Sequence, residues 1–208
     1  MGCAYLSLGE YQEAIEFYQQ SLAISKEIGY RQGEAASLNN LGNTLLENNQ
    51  APKAEAKLRQ AMEVYESLRE DLADENKISI FETQTETYRL LQQALVAQDK
   101  FNEALAIAER GRARAFVEEL RRRLGWEGSD DFIDIPQMVA VAQEQNATLV
   151  EYSIVSEDIY IWVISPRGEI SFRRANLSLL TEDDYRDIAP NGKFRERLDT
   201  LILQARVS

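Results

Sequence analysis

Small and large apolar residues recur in one fixed register along the first half of this chain, and that recurrence restricts the fold more than any bulk property. Gly2, Tyr5, Gly9, Tyr11, Ala14, Tyr18 and Ser21 align with Gly42, Leu45, Asn49, Ala51, Ala54, Leu58 and Ala61, each pair 40 residues apart. A further copy lies 50 residues on, where Leu91, Leu95, Asp99, Phe101, Ala104, Ala108 and Gly111 answer to Leu41, Leu45, Asn49, Ala51, Ala54, Leu58 and Ala61. Self-similarity at such periods is the mark of stacked supersecondary units. Two antiparallel helices approach closely only where Gly or Ala faces the partner, and Tyr, Phe or Leu then fills the adjoining groove. Gly9, Asn48-Asn49 and Asp99 fall between the two helices of each copy, and these residue types leave the helical region at low cost. The reading is mostly α, with helices near 10–28, 34–48, 51–71, 75–98 and 101–124, and with most of the first copy's first helix missing. An irregular bundle would share the 3.6-residue period but not the register.

The segment LNNLGNTLLENNQAPKAEAKLRQAMEVY carries a Leu-Gly pair, a turn, and Ala54 and Ala61 on the following helix. In these features residues 1–124 resemble the tetratricopeptide repeat, a helical-hairpin unit that stacks into a superhelix. The spacings of 40 and 50 exceed the family's usual length, so the second helix and its exit are longer here. The resemblance implies a protein-binding scaffold whose groove is lined by the first helix of each pair. In this register the groove positions are Asn39, Asn43 and Glu47 of one repeat, and Glu86, Arg89 and Gln93 of the next. Asn amides can bond both N–H and C=O of an extended peptide, so the expected partner is a protein or peptide. The plainer alternative is an unoccupied polar face. A clamp for a terminal carboxylate needs clustered Lys or Arg, and only Arg89 is basic.

Beyond Gly125 the composition changes. Residues 125–135 read as a linker, and Pro136 opens a short helix to about 145. Residues 148–154, 159–164 and 169–174 are rich in β-branched and aromatic side chains, with a turn at Ser165-Pro-Arg-Gly168, and predict an antiparallel β-meander. Six successive apolar positions from Ile159 to Ile164 call for cover on both faces of the middle strand. The order of AERGRARAFVEEL, ATLVEYS and YIWVISPRG is similar to the opening of a CHAT domain, a caspase-like α/β module that commonly follows tetratricopeptide arrays. That resemblance implies a partial CHAT-like segment over 136–208, without the family's His-Gly and Cys motifs. Residues 177–208 read as helical or loose.

The inventory of reactive groups argues against catalysis by this chain alone. Histidine is absent, which removes the usual general base and the commonest zinc ligand. The lone Cys3 has no base to activate it and reads as a packing residue in a reducing, cytoplasmic setting. No phosphate-cradling Gly loop occurs, and Asp130, Asp131 and Asp134 lack the Gly and closing Glu of a calcium loop, so no cofactor or metal is expected. The net charge of -12 divides equally, because residues 1–128 hold 21 acidic and 15 basic side chains and residues 129–208 hold 14 and 8. An evenly acidic surface repels phosphate backbones and anionic lipid, so neither nucleic acid nor membrane is an expected partner. Arg110, Arg112 and Arg114, with Arg121–Arg123, form a basic stretch that either docks the following domain or simply pairs with Glu along its own helix. Two other readings stand beside the scaffold. One is the N-terminal regulatory fragment of a caspase-like cysteine peptidase. The other is self-assembly, in which a second copy covers the apolar face left by the incomplete first repeat.

Overall fold

The computed structural model describes residues 2–71, 74–124 and 133–177, and the side chains within 2–68, 84–113 and 133–177. The sequence-based expectations for 125–132 and 178–208 lie outside these residues. Six helices come first: α1 (Gly2–Ser7), α2 (Tyr11–Glu27), α3 (Arg31–Glu47), α4 (Ala51–Asp71), α5 (Asp74–Val96) and α6 (Phe101–Leu124). Then come α7 (Ile135–Glu144) and the strands β1 (Leu149–Val155), β2 (Asp158–Ile164) and β3 (Ile170–Asn176). The chain divides into two compact units, Met1–Met138 and Val139–Ser208.

In the first unit each helix packs on its neighbours in sequence, and α3 also reaches α5. The apolar period sets these contacts. Ala54, Leu58, Ala61, Met62 and Tyr65 recur at helical spacing along α4, and all are buried. Full burial of a side chain such as Leu58 stabilises the fold by about 1.5–3 kcal/mol. Ala35 and Leu38 of α3 join Ala61, Val64 and Tyr65 of α4 in one core cluster. Burial there pushes the Tyr65 hydroxyl up to about 12, because the phenolate would be desolvated.

The repeated glycines sit where the helices come closest. A Cβ on Gly42 would lie 2.5 Å from Leu58 Cγ, and one on Gly2 would lie 2.6 Å from Tyr18 Cζ. These are the same contact, 40 residues apart. At the matching positions of the third pair the sizes are exchanged: Gln92 stands in place of Gly42 and Ala108 in place of Leu58, and both are buried.

Three turns close these pairs in one way. Gly9, Asn49 and Asp99 take positive φ of 75°, 54° and 58°. In each turn the next amide reaches back to the final helical turn: Glu10 N–H to the Tyr5 carbonyl at 2.9 Å, Gln50 to Leu45 at 2.8 Å, Lys100 to Leu95 at 3.0 Å. This is the Schellman closure, which satisfies carbonyls that the helix end would leave bare.

In the second unit the sheet order is β1-β2-β3, all antiparallel. The central β2 is buried at every position except Val163, which is partly buried, as its six apolar residues require. Gly168 takes φ of 84° in the β2–β3 turn, and its Cα lies against α7, where an added Cβ would sit 3.0 Å from Val139 Cγ1. The start of α7 carries a reciprocal cap, since Asp134 Oδ1 accepts the Gln137 N–H and Gln137 Oε1 accepts the Asp134 N–H, both at 2.8 Å.

These contacts lead to two stability measurements. Gly42→Ala forces Leu58 from its rotamer or α3 from α4 and lowers unfolding free energy by about 1–3 kcal/mol, the usual cost of overpacking. Denaturant titration of Gly42→Ala, Leu58→Ala and the double variant shows positive coupling, the double costing less than the sum of the singles. Asp99→Gly raises stability by about 1 kcal/mol, because it removes a left-handed non-glycine residue and a negative charge from a helix C-terminus.

Candidate functional site

The first helices of two consecutive pairs, α3 and α5, carry the six polar residues singled out from the register. Asn43 is partly buried and Glu47 is exposed on α3. On α5, Glu86 and Arg89 are about half exposed and pair across one turn at 3.7 Å, and Gln93 is partly buried. Asn39 is placed differently. It is only 7% exposed, and its Oδ1 accepts the Thr87 hydroxyl at 2.8 Å, so its amide is committed to the α3–α5 contact. The neighbouring Asn40 is partly buried and its carbonyl accepts the Thr44 hydroxyl at 2.8 Å.

A pair of carboxylates that the register did not single out ties α5 and α6 to α4. Glu55 accepts from Arg59 at 2.8 Å on its own helix, and from Gln98 at 2.9 Å and Lys100 at 2.7 Å in the α5–α6 turn. Arg59 then bridges to Glu103 of α6 at 2.6 Å. Three helical turns further along α4, Glu66 accepts the Tyr88 hydroxyl of α5 at 3.1 Å and pairs with Arg110 of α6. The partners on α5, on α6 and in the turn between them lie 22 to 45 residues away in the chain, so local spacing carries no sign of them. Burial of Glu55 would raise its pKa, but the hydrogen bonds from Lys100, Arg59 and Gln98 outweigh burial and hold it below the ordinary 4.5.

The basic stretch of α6 is engaged within the helical unit where it is described. Arg110 reaches Glu66, and Arg112 pairs with Glu109 one turn earlier. The side chains of Arg114 and Arg121–Arg123 lie outside the described residues. Cys3 is exposed, and its Sγ is 3.2 Å from the Tyr18 hydroxyl. Among the described residues no group of three His, Cys, Asp or Glu is arranged to hold a metal ion, and no helix is long and apolar enough to cross a membrane.

Glycine-against-large contacts, left-handed turns and stacked hairpins all recur at the same register positions. Residues 1–67 also match the family model described as tetratricopeptide repeat. Residues 1–67 carry tetratricopeptide repeats. The chain is similar to Tetratricopeptide repeat protein 28 of Mus musculus, with 34% identity over 148 residues, covering 69% of this chain and 6% of that protein. It is similar also to Tetratricopeptide repeat protein 28 of Homo sapiens, with 32% identity over 165 residues, covering 76% of this chain and 7% of that protein. The chain therefore spans a small fraction of the length of these relatives. No solved structure gives a significant match.

The Glu55 latch makes the repeat stack sensitive to acid. A carboxyl whose folded pKa is depressed adds stability that is complete above its unfolded value and is lost as pH falls through the folded one. The contribution of Glu55 is therefore present above pH 4.5 and disappears below it. Thermal unfolding scanned from neutral to acidic pH shows a shallower acid decline for Glu55→Gln than for the parent, with Glu55→Gln the less stable of the two at neutral pH.

Proposed function

We propose that this chain is a protein-interaction scaffold whose tetratricopeptide repeats hold an extended peptide segment of a partner protein against α3 and α5. One observation supports this above the others. Asn43, Glu47, Glu86 and Arg89 reach solvent from the first helices of two consecutive repeats, while the other sides of those helices are filled by packing residues such as Leu38, Leu41, Leu91 and Leu95. The Asn43 amide can both donate to and accept from a peptide backbone, and Arg89 with Glu86 offers one charge of each sign. Gln93 extends the same stripe one turn beyond Arg89. Asn39 lies beneath this surface and sets the α3–α5 contact through Thr87. Catalysis has no part in this reading.

Selection from a displayed random-peptide library tests it. The parent chain enriches peptides with a shared pattern, and Asn43→Ala with Arg89→Glu weakens binding of those peptides at least tenfold at an unchanged unfolding midpoint. Failure to enrich any pattern, or equal binding by the variant, would overturn the groove as the binding face.

A second reading is favoured by the extent of the similarity to the mouse and human proteins. An aligned stretch covering 76% of the chain is longer than the 124 residues that end with α6, so it includes residues beyond the repeats. In this reading the repeats hold or regulate a CHAT-like domain that begins with α7 and the β-meander. Arg112 and Arg114 then serve as its docking residues. Limited proteolysis of the 139–177 segment, faster in Arg112→Glu with Arg114→Glu than in the parent, supports it; equal rates count against it.

A further inference from the structure

The last turns of α2 expose apolar residues that the corresponding turns of α4 bury. Positions 40 apart correspond in the two helices, and early in each they match: Ala14 and Ala54 are buried, as are Tyr18 and Leu58. Later they differ. Ile24 is 57% exposed where Val64 is 7% exposed, and Ile28 is 68% exposed where Leu68 packs against the core cluster. One exposed apolar residue is ordinary, but two at i and i+4 stand side by side on a single helix face.

The second repeat shows what covers such a face. Val64 lies in one cluster with Ala35 and Leu38, from the first half of α3, and Leu68 packs against that cluster. At its edge Arg31 reaches the Ser67 hydroxyl at 3.4 Å. In the first repeat α1 starts at Gly2, the register position of Gly42, whereas α3 starts well before Gly42, at Arg31. Gly2 lies against Tyr18, so the face at Ile24 and Ile28 is beyond the end of α1. Glu27 takes the position of Ser67 and is exposed beside the two isoleucines. A helix laid on α2 as α3 lies on α4 therefore sets a basic residue against Glu27, with small and large apolar residues against Ile24 and Ile28. Exchanging the serine hydroxyl for a carboxylate strengthens the hydrogen bond that a guanidinium donates there. In a second copy of this chain the Ala35 and Leu38 stripe is already packed with its own α4, so the helix comes from another protein.

We propose that the Ile24 and Ile28 face of α2 is a docking site, separate from the α3–α5 stripe, for one amphipathic helix of a partner protein. That helix runs antiparallel to α2 and carries basic, small apolar and large apolar residues at i, i+4 and i+7, the spacing of Arg31, Ala35 and Leu38. A single helix on these few turns buries less than the ~1,200 Å² at the lower end of stable interfaces, so binding is transient and micromolar or weaker.

The probe is a synthetic peptide with the sequence of residues 31–47, its ends blocked and its helix held by a lactam on the polar face. Nuclear magnetic resonance titration of the full chain with this peptide shifts the amides of residues 20–30 and leaves those of α5 in place. Ile24→Asp with Ile28→Asp weakens binding by about tenfold at an unchanged unfolding midpoint, since both side chains are exposed in the parent. Glu27→Lys weakens it a few-fold, and a peptide carrying Arg31→Glu recovers affinity for that variant, which a misfolded chain would not allow. Asn43→Ala with Arg89→Glu, the variant that disables the α3–α5 stripe, binds the probe as the parent does, so the two readings fail separately. A probe that does not bind, or that binds the aspartate variant equally well, overturns the proposal. So do shifts centred on α3 and α5. Sedimentation of the parent alone at twice 23.7 kDa, returned to the monomer mass by the aspartate variant, overturns it by making a second copy the occupant.

Discussion

The close approach of α3 and α4 at Gly42 and Leu58 is the contact on which the helical half depends. With a Cβ only 2.5 Å from Leu58 Cγ, no other residue fits unless the Leu58 side chain or one helix moves. The distance between the two helices fixes where Ala35, Leu38, Ala61 and Tyr65 meet, and so fixes the core cluster. The same geometry at Gly2 and Tyr18 pairs α1 with α2. In the third pair the large residue stands on the other helix, with Gln92 at the register position of Gly42 and Ala108 at that of Leu58. The volume per layer is thus kept while the residue types change, and dense packing requires the former but not the latter.

Given that spacing, polar groups determine how one hairpin seats on the next. Glu55 and Glu66 each receive donors from the following pair, Glu55 from the α5–α6 turn and Glu66 from both helices. Asn39 and Thr87 do the same between α3 and α5. A partly buried carboxylate with several donors is satisfied only in one relative placement, so these groups select the stacking angle more than they add to stability. That selection matters for the proposed groove, since Asn43 and Arg89 stand on helices whose separation Asn39 and Thr87 hold.

The register revealed the helices and their turns because both are local. Gly9, Asn49 and Asp99 are legible as turn residues since left-handed φ restricts residue type within a few positions. The β-meander is legible for the same reason, its strands lying a two-residue loop and a Ser-Pro-Arg-Gly turn apart. The candidate site was less accessible. The register placed Asn39 beside Asn43 on one stripe, but a helical face does not say which of its residues a neighbouring helix will cover. α5 covers Asn39 and leaves Asn43 and Glu47 at the surface. Arg110, which stood out as basic in an acidic chain, is bound to Glu66, 44 residues earlier.

By itself the sequence determined the repeat, the small-against-large alternation, the left-handed turns and the order of strands, because each is set by residues in contact or nearly so along the chain. Only the tertiary structure decided which polar residues were consumed in stacking and which remained at the surface. Hydrogen bonds between α4 and the α5–α6 hairpin join residues some 40 positions apart, and no periodicity within one helix encodes them. The meander divides in the same way. Its residue types are written in the sequence, but the order β1-β2-β3, which makes β2 the middle and most buried strand among the described residues, exists only once the strands have paired.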